Sequence, residues 1–167
     1  MTATAPQGYS ATQIALHWAV VALVVFQYLA HDGIEHAWKA HIDGEAADPD
    51  EVRFAWLHVV SGLAILVLAL WRVWLRLTRG APPAPAGYPA LMRLVAGATH
   101  LAIYALIIGM PIAGSVAWFL GIEEAGDAHG MAATVLFFLV VLHVLGGLFH
   151  HFAFRSRVLT RMIVPRS

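Results

Sequence analysis

The chain contains no cysteine among its 167 residues. This absence excludes disulfides, iron–sulfur clusters, thiolate zinc sites and the thioether attachment of c-type haem. Charge is also scarce, because only 12% of residues are Asp, Glu, Lys or Arg, and the ten basic residues balance the ten acidic ones. No basic stripe with interleaved aromatic residues is present, so no nucleic-acid partner is predicted. Any metal centre must be held by side chains other than cysteine.

Long apolar runs dominate the sequence. Hydrophobic residues make up 60% of the chain and the mean hydropathy is +0.72, far above the soluble norm. Four runs are long enough to cross a bilayer, and we predict transmembrane helices at about 12–30, 54–77, 93–118 and 128–154. The first run lacks a basic leader, so it is interpreted as a helix and not as a signal peptide. The predicted fold is all-α, a membrane up-down four-helix bundle forming one domain over residues 1–167.

Charged residues are sorted between the connections. All ten acidic residues lie in residues 31–53 and 123–127, two connections in which the basic residues are Lys39 and Arg53. Residues 78–89 form a Pro/Gly-rich turn flanked by arginines, and more arginines follow the last span. By the positive-inside rule both termini and this turn are cytoplasmic, and the outer face is acidic. The arginines concerned are Arg72, Arg76, Arg79, Arg93, Arg155, Arg157, Arg161 and Arg166.

The last span has no Asp, Glu, Lys or Arg, yet three of its histidines lie on one helix face. At about 100° per residue, His143 lies about 40° from the azimuth of His129, and His150 lies about 20° from that of His143. The rise from His129 to His143 is about 21 Å, most of the depth of a bilayer core. Imidazoles at that depth are costly unless something binds them. Stacked haems would do so, which predicts electron transfer across a membrane.

Four histidines on three helices fall at two depths. In the predicted topology His58 lies near the outer start of the second helix, level with His129, and His17 lies on the inner half, level with His143. Bis-imidazole ligation of a low-spin haem needs one histidine from each of two facing helices at equal depth. We therefore predict His58 and His129 as ligands of an outer haem iron, and His17 and His143 as ligands of an inner one. Interhelical hydrogen bonding is the alternative; a transition-metal site would instead gather its ligands at one depth.

Small residues follow two of these histidines on the same helix face. Ser61 and Gly62 lie three and four positions after His58, and Gly146 and Gly147 follow His143 in the same way. Their lack of bulk allows either a flat macrocycle or a close helix crossing.

Two more histidines are candidates for the inner side of the membrane. His150 lies one turn from the cytoplasmic end, where an imidazole can hydrogen-bond a quinone carbonyl and deliver a proton; interfacial capping is the alternative. His100 lies about 10 Å inside the third helix from Arg93. It could support a haem propionate, help a quinone site, or replace His17 as the inner ligand.

Two groups of polar residues have both a functional and a structural interpretation. Arg72 and Arg76 are one turn apart and could pair with haem propionates or anionic lipid, although positive-inside anchoring explains them as well. His31, His36 and His41 recur every five residues beside acidic residues, so they could bind zinc or copper, or belong to a solvated connection.

Short motifs along nearly the whole chain resemble the bacterial cytochrome b561 family, in its short four-helix, di-haem form. The resemblance implies two non-covalent haems b with the same four histidine ligands. It also implies a multi-pass location in the bacterial inner membrane, and electron transfer from an outer-face donor to membrane quinone. The motifs are His17-Trp18, LHVVSG at Leu57–Gly62, WRVWLRL at Trp71–Leu77, HLAIY at His100–Tyr104, MPIAG at Met110–Gly114, LHVLGGLFHHF at Leu142–Phe152 and LTRMIVP at Leu159–Pro165.

Within that family the chain resembles the superoxide oxidases, which oxidise periplasmic superoxide and reduce ubiquinone. The resemblance thus implies a superoxide:ubiquinone oxidoreductase and a quinone role for His150. Related cytochrome b subunits instead anchor a dehydrogenase or hydrogenase and carry its electrons. Superoxide is an anion, whereas the outer connections hold ten acidic residues against two basic ones. A basic partner protein or a cationic carrier suits that face as well, so the periplasmic donor is either a small molecule or a protein.

Overall fold

The computed structural model describes residues 8–84 and 87–165, and within these ranges every regular element is helical. Helices α1, α3, α4 and α5 are long and apolar enough to cross a membrane. The predicted all-α, four-helix membrane bundle is confirmed. The elements are α1 (Ala11–Leu29), α2 (His31–Asp43), α3 (Pro49–Arg79), α4 (Ala90–Leu120), α5 (Glu123–Ala153) and a 3₁₀ turn (Thr160–Met162).

Capping boxes begin the first and third helices. The Ser10 hydroxyl accepts a hydrogen bond from the backbone N–H of Gln13, and the Gln13 side chain accepts one from the backbone N–H of Ser10. Asp48 and Glu51 form the equivalent pair for α3, with Pro49 at the first helical position. Helix α3 therefore begins five residues before the predicted start at residue 54. The prediction was late because it counted only a run without charged residues, and that run starts after Arg53.

Helix α5 also begins earlier than predicted. Residues 123–127 were expected to form a polar connection, but they are the first residues of α5. Glu123 and Glu124 lie in its first turn, where carboxylates interact favourably with the positive end of the helix dipole. The connection from α4 is reduced to Gly121 and Ile122, with Gly121 in the left-handed conformation.

The acidic segment after α1 is largely a helix, which corrects the expectation of a loop over residues 31–53. Helix α2 packs on α3. Ala37 is buried, and a side chain on Gly33 would overlap the Phe54 side chain. Trp38 contacts Gly126 of α5, where an added Cβ would lie 3.2 Å from its indole. One apolar stripe on an otherwise polar segment is enough to fix α2 against the bundle.

The spanning helices pack in the order α1, α3, α4 and α5, each against the next. A buried cluster at mid-depth joins all four and separates the levels of the predicted haem ligands. The Tyr28 hydroxyl of α1 donates to the Ala133 carbonyl of α5 over 2.6 Å, which links the first and last spanning helices. The buried cluster contains Val20, Ile65, Ala69, Ile107 and Leu136.

The arginine end, as we call the end with the α3–α4 connection and the C-terminal segment, is tied together by side-chain hydrogen bonds. The Trp18 indole donates to the Met162 carbonyl over 2.8 Å, and the Arg161 guanidinium donates to the Pro83 carbonyl over 2.9 Å. The opposite end, with α2 and the start of α5, is called the acidic end. Pro85 and Arg166 lie outside the described residues.

Candidate functional site

Two of the predicted ligands meet near the acidic end. The rings of His58 on α3 and His129 on α5 have centroids 6.0 Å apart and planes inclined by 65°. Both side chains are partly buried. The structure therefore brings this pair together across the bundle, as predicted from depth.

His129 is oriented by the backbone of α4. Its Nδ1 lies 2.8 Å from the Met110 carbonyl oxygen, so Nδ1 carries the proton and donates it. Gly114 makes this approach possible, because a Cβ there would lie 2.9 Å from His129 Nδ1. With Nδ1 engaged, Nε2 keeps its lone pair for a metal, which is the usual arrangement of a ligating histidine.

The turn of α3 that carries His58 is held by Gln27 of α1. The Gln27 amide donates to the His58 carbonyl over 3.0 Å, and a Cβ on Gly62 would lie 3.1 Å from the same amide nitrogen. Gly62 thus serves a close helix approach, one of its two predicted uses. Within the described chain, His58 Nδ1 is buried without a hydrogen-bond partner. This nitrogen is therefore available to a group bound beside His58.

The other predicted pair meets toward the arginine end. The rings of His17 on α1 and His143 on α5 have centroids 6.4 Å apart and planes inclined by 64°. His100 of α4 is a third imidazole at this level, with its centroid 5.0 Å from that of His143. Its Nδ1 is 2.6 Å from the Ala96 carbonyl of its own helix. Beside His143, a Cβ on Gly146 would meet open space.

The spacing within each pair fits coordination of one metal ion between two imidazoles. Two imidazoles bound on opposite sides of a first-row metal, each through a bond of about 2 Å, have ring centroids about 6 Å apart. The His58–His129 and His17–His143 spacings agree with this value, whereas the 5.0 Å between His100 and His143 is too short. Nitrogen ligation without cysteine is also the donor set of a haem b iron. The residues present therefore fit a haem at each level.

Arg72 extends toward the inner pair. Its guanidinium donates to the Gln13 carbonyl over 3.4 Å, one turn before His17, and lies 5.9 Å from the centroid of the Tyr104 ring. Arg76, one turn further along α3, is exposed. The two predicted propionate partners thus differ, because Arg72 reaches into the bundle and Arg76 remains at its surface.

His150 stacks on a tyrosine that the sequence analysis did not select. The Tyr88 and His150 rings have centroids 4.8 Å apart and planes inclined by 18°. Phe149 and Phe154 also contact His150. Among the described residues, the Tyr88 hydroxyl and His150 Nδ1 are both buried without hydrogen-bond partners. These two polar atoms in apolar surroundings are available to hydrogen-bond a small molecule.

The three outer histidines do not converge. His31 lies 3.6 Å from Glu35, and His36 lies 3.4 Å from Glu51. His41 instead stacks on Trp118 with a centroid distance of 5.5 Å. Over residues 8–84 and 87–165, no group of three His, Cys, Asp or Glu side chains is arranged to hold a metal ion. Helical spacing explains this, since a five-residue step turns the side chain by about 140° around α2.

Gln27 and Tyr88 are the residues that sequence reasoning missed. Gln27 is an amide inside the apolar first span, and that isolated polarity was a usable signal. Tyr88 lies in the Pro/Gly-rich turn, where no periodicity indicates which helix it contacts. The position of Tyr88 follows only from tertiary structure.

A bundle of four membrane-spanning helices with histidines facing one another at two depths defines a class, the membrane cytochromes of the b type. Comparisons with known proteins agree with this class. The family model of prokaryotic cytochrome b561 matches residues 8–165. The chain belongs to the prokaryotic cytochrome b561 family, and it is a multi-pass bacterial membrane protein of haem b electron transfer.

Three relatives illustrate the range of the family. Cytochrome b562 of Cereibacter sphaeroides is 36% identical over 163 residues, which cover 98% of this chain and 99% of the relative. The probable superoxide oxidase CybB of Yersinia pestis is 29% identical, covering 93% of this chain and 95% of the relative. Cytochrome b561 homolog 2 of Escherichia coli (strain K12) is 28% identical, covering 95% and 92%. The resemblance inferred from the motifs is confirmed at the level of the family.

Proposed function

We propose that this protein holds two haems b and passes electrons from a donor at its acidic, periplasmic face to ubiquinone near its arginine end. It would thereby act as an oxidoreductase of the bacterial inner membrane, organised as a single domain. The observation that carries the proposal is the presence of two facing histidine pairs, 6.0 Å and 6.4 Å apart, at two depths on α5. When bound, haem supplies reversible one-electron chemistry at each level.

The four histidines proposed to bind haem come from α1, α3 and α5. His58 and His129 would hold the outer haem, and His17 and His143 the inner one. Met110 and Gly114 orient His129 through its Nδ1. The His100 and His143 rings are 5.0 Å apart, closer than the rings of either facing pair. We therefore assign His100 to the surroundings of the inner haem, as a group available to a propionate or a quinone, with Arg72 nearby.

Ubiquinone would bind where Tyr88 stacks on His150. Reduction of a quinone takes two electrons and two protons, so its site needs groups that hydrogen-bond the carbonyl oxygens and move protons. The Tyr88 hydroxyl and His150 Nδ1 are buried and free of partners within the described chain. Phe149 and Phe154 supply apolar walls for the ring. Replacement of His150 by Gln should raise the KM for ubiquinone while the haem spectrum stays unchanged.

The pairing of ligands is tested by single substitutions. Either His58→Ala or His129→Ala should remove the outer haem and leave the inner haem in place, seen as haem per protein and as one component in a redox titration. His36→Ala is the control, because this exposed histidine lies 3.4 Å from Glu51 and belongs to neither pair. Retention of both haems in His58→Ala and His129→Ala would refute the pairing.

Superoxide is the first donor to test, since a relative is named a probable superoxide oxidase. The purified, oxidised protein is mixed with a pulse of superoxide, and the haem α and Soret bands are followed on the millisecond scale. Rapid reduction that superoxide dismutase abolishes would support a superoxide:ubiquinone oxidoreductase. Bands that stay oxidised would exclude superoxide and direct the search to a protein donor. Absence of haem bands would refute the proposal as a whole.

A second candidate is a haem-bearing membrane anchor that relays electrons between a partner dehydrogenase or hydrogenase and the quinone pool. The excess of acidic residues at the outer face favours it, because it disfavours an anionic donor. Gentle solubilisation followed by co-purification of a soluble redox enzyme in stoichiometric amount would support this candidate. If the chain purified alone reduces ubiquinone with electrons from superoxide, this second candidate is contradicted.

A further inference from the structure

A patch of aromatic rings joins three helices at the acidic end, and we refer to Trp38, His41, Trp56, Trp118 and Phe119 as the aromatic patch. His41 stacks on Trp118 at 5.5 Å between centroids, and Trp38 lies 6.5 Å from Trp118. Trp56 meets Trp118 edge-on at 6.2 Å and lies 6.3 Å from Phe119. Trp118 is therefore the centre of the patch.

The aromatic patch adjoins the outer histidine pair. Trp118 follows Gly114 by four residues on α4, so both lie on one face of the helix. Helical side chains lean toward the N-terminus of their own helix, which directs Trp118 toward Gly114. Gly114 is where the His129 ring contacts α4. The patch thus leads from the protein surface to the turn against which His129 rests.

Membrane anchoring does not account for the whole aromatic patch. Trp residues at the ends of spanning helices commonly sit at the lipid headgroups, and this explains Trp56 by itself. Trp38 and His41, however, lie on α2, which is not one of the membrane-spanning candidates. Trp56 remains 47% exposed and Phe119 55% exposed. An exposed patch centred on tryptophan is typical of the central contacts of protein interfaces.

Acidic residues border the aromatic patch on two sides. Asp43 and Glu45 follow His41 closely in the chain, and Glu123 and Glu124 follow Phe119. Within the described residues none of these four carboxylates forms an ion pair. At the whole acidic end ten acidic residues face two basic ones. A field of this sign attracts a basic partner and repels an anion.

We propose that the aromatic patch is the docking surface for a basic, soluble one-electron carrier protein, which delivers electrons beside Trp118 and His129. The proposal rests on the proposed electron-transfer function and names the class of donor. In each encounter the carrier loses one electron and this protein gains it. No covalent bond forms or breaks, and no proton needs to move.

Binding can be measured without electron flow. The haem-loaded protein in nanodiscs of zwitterionic lipid is titrated with an oxidised basic cytochrome c, and separately with an oxidised acidic flavodoxin. We expect the basic carrier to bind at an ionic strength of about 0.01 M, where the Debye length is about 30 Å, and to weaken sharply at about 0.15 M, where it is about 8 Å. The acidic carrier should not bind under either condition.

Substitutions then locate the surface. The double variant Asp43→Lys with Glu45→Lys should weaken binding of the basic carrier about tenfold or more. Trp56→Leu should weaken it several-fold, whereas Trp74→Leu should not. Trp74 is the matched control, since it lies on the same helix toward the arginine end and is 57% exposed. Unchanged haem spectra and helical dichroism would show that the variants are folded.

Two results would overturn the docking proposal. One is equal binding of the acidic and basic carriers, and the other is unchanged affinity in both the double variant and Trp56→Leu. Either failure leaves the electron-transfer function standing, because haem content and quinone reduction are measured separately. Conversely, a chain that holds no haem would refute the proposed function whatever its affinity for the carrier.

Discussion

The contact between Gly114 and His129 leads to a specific prediction about haem binding. In Gly114→Ala, the new Cβ would lie 2.9 Å from His129 Nδ1 and 3.1 Å from Cε1. Both distances are below normal van der Waals separation, so the imidazole must move away from α4. That movement breaks the 2.8 Å hydrogen bond to the Met110 carbonyl. Such a bond is worth about 1 kcal/mol, and loss of an outer-shell partner typically lowers metal affinity about 10–100-fold.

The assay compares two glycines of the same helix. Gly109→Ala is the control, because a Cβ at Gly109 meets nothing within 4 Å. Haem per protein is measured by pyridine haemochrome after extended washing, together with a redox titration that resolves the two haems. We expect Gly114→Ala to lose the outer haem selectively and Gly109→Ala to retain both. If Gly114→Ala keeps both haems with the spectrum and potentials of Gly109→Ala, the role assigned to the Gly114–His129 contact is wrong.

Three further outcomes are expected from single substitutions. His17→Ala should remove the inner haem, whereas His100→Ala should keep it, because the 6.4 Å spacing of His17 and His143 fits a shared metal and the 5.0 Å spacing of His100 and His143 does not. The measurement is haem per protein, and haem loss in His100→Ala alone would reverse the assignment. Tyr28→Phe should lower stability by about 1 kcal/mol through loss of the bond to Ala133, seen in thermal denaturation in detergent. Asp48→Ala should cost about 1 kcal/mol by uncapping α3, and an unchanged melting temperature would contradict it.

The spanning helices were predictable because a bilayer makes simple demands on sequence. About 20 apolar residues are needed to cross it, and four such runs are present. Their exact starts were less predictable, since Glu123 and Glu124 are polar residues that a helix N-terminus accommodates well. Helix α2 was missed although Ala37, Trp38 and His41 recur at helical spacing. Its stripe is short, and its helical state depends on packing against α3.

The sequence indicated which histidines face each other, but not which other rings lie beside them. Helical rise and alternating helix direction matched His58 with His129 and His17 with His143 by depth, and the structure places these rings together. No sequence pattern could show that His100 would also approach His143, because rotation of α4 about its axis is set by its neighbours. The stacking of Tyr88 on His150 depends on the path of a turn, which periodicity does not describe.

Helix α5 carries one histidine of each facing pair, so this single continuous helix fixes the distance between the two pairs. His129 and His143 keep their separation because every residue between them adds a fixed rise of about 1.5 Å and a fixed turn of about 100°. Substitutions between them leave that count intact. Inserting or deleting one residue would swing one imidazole about 100° away from its partner helix. The segment can therefore vary in composition, but its length has to stay constant.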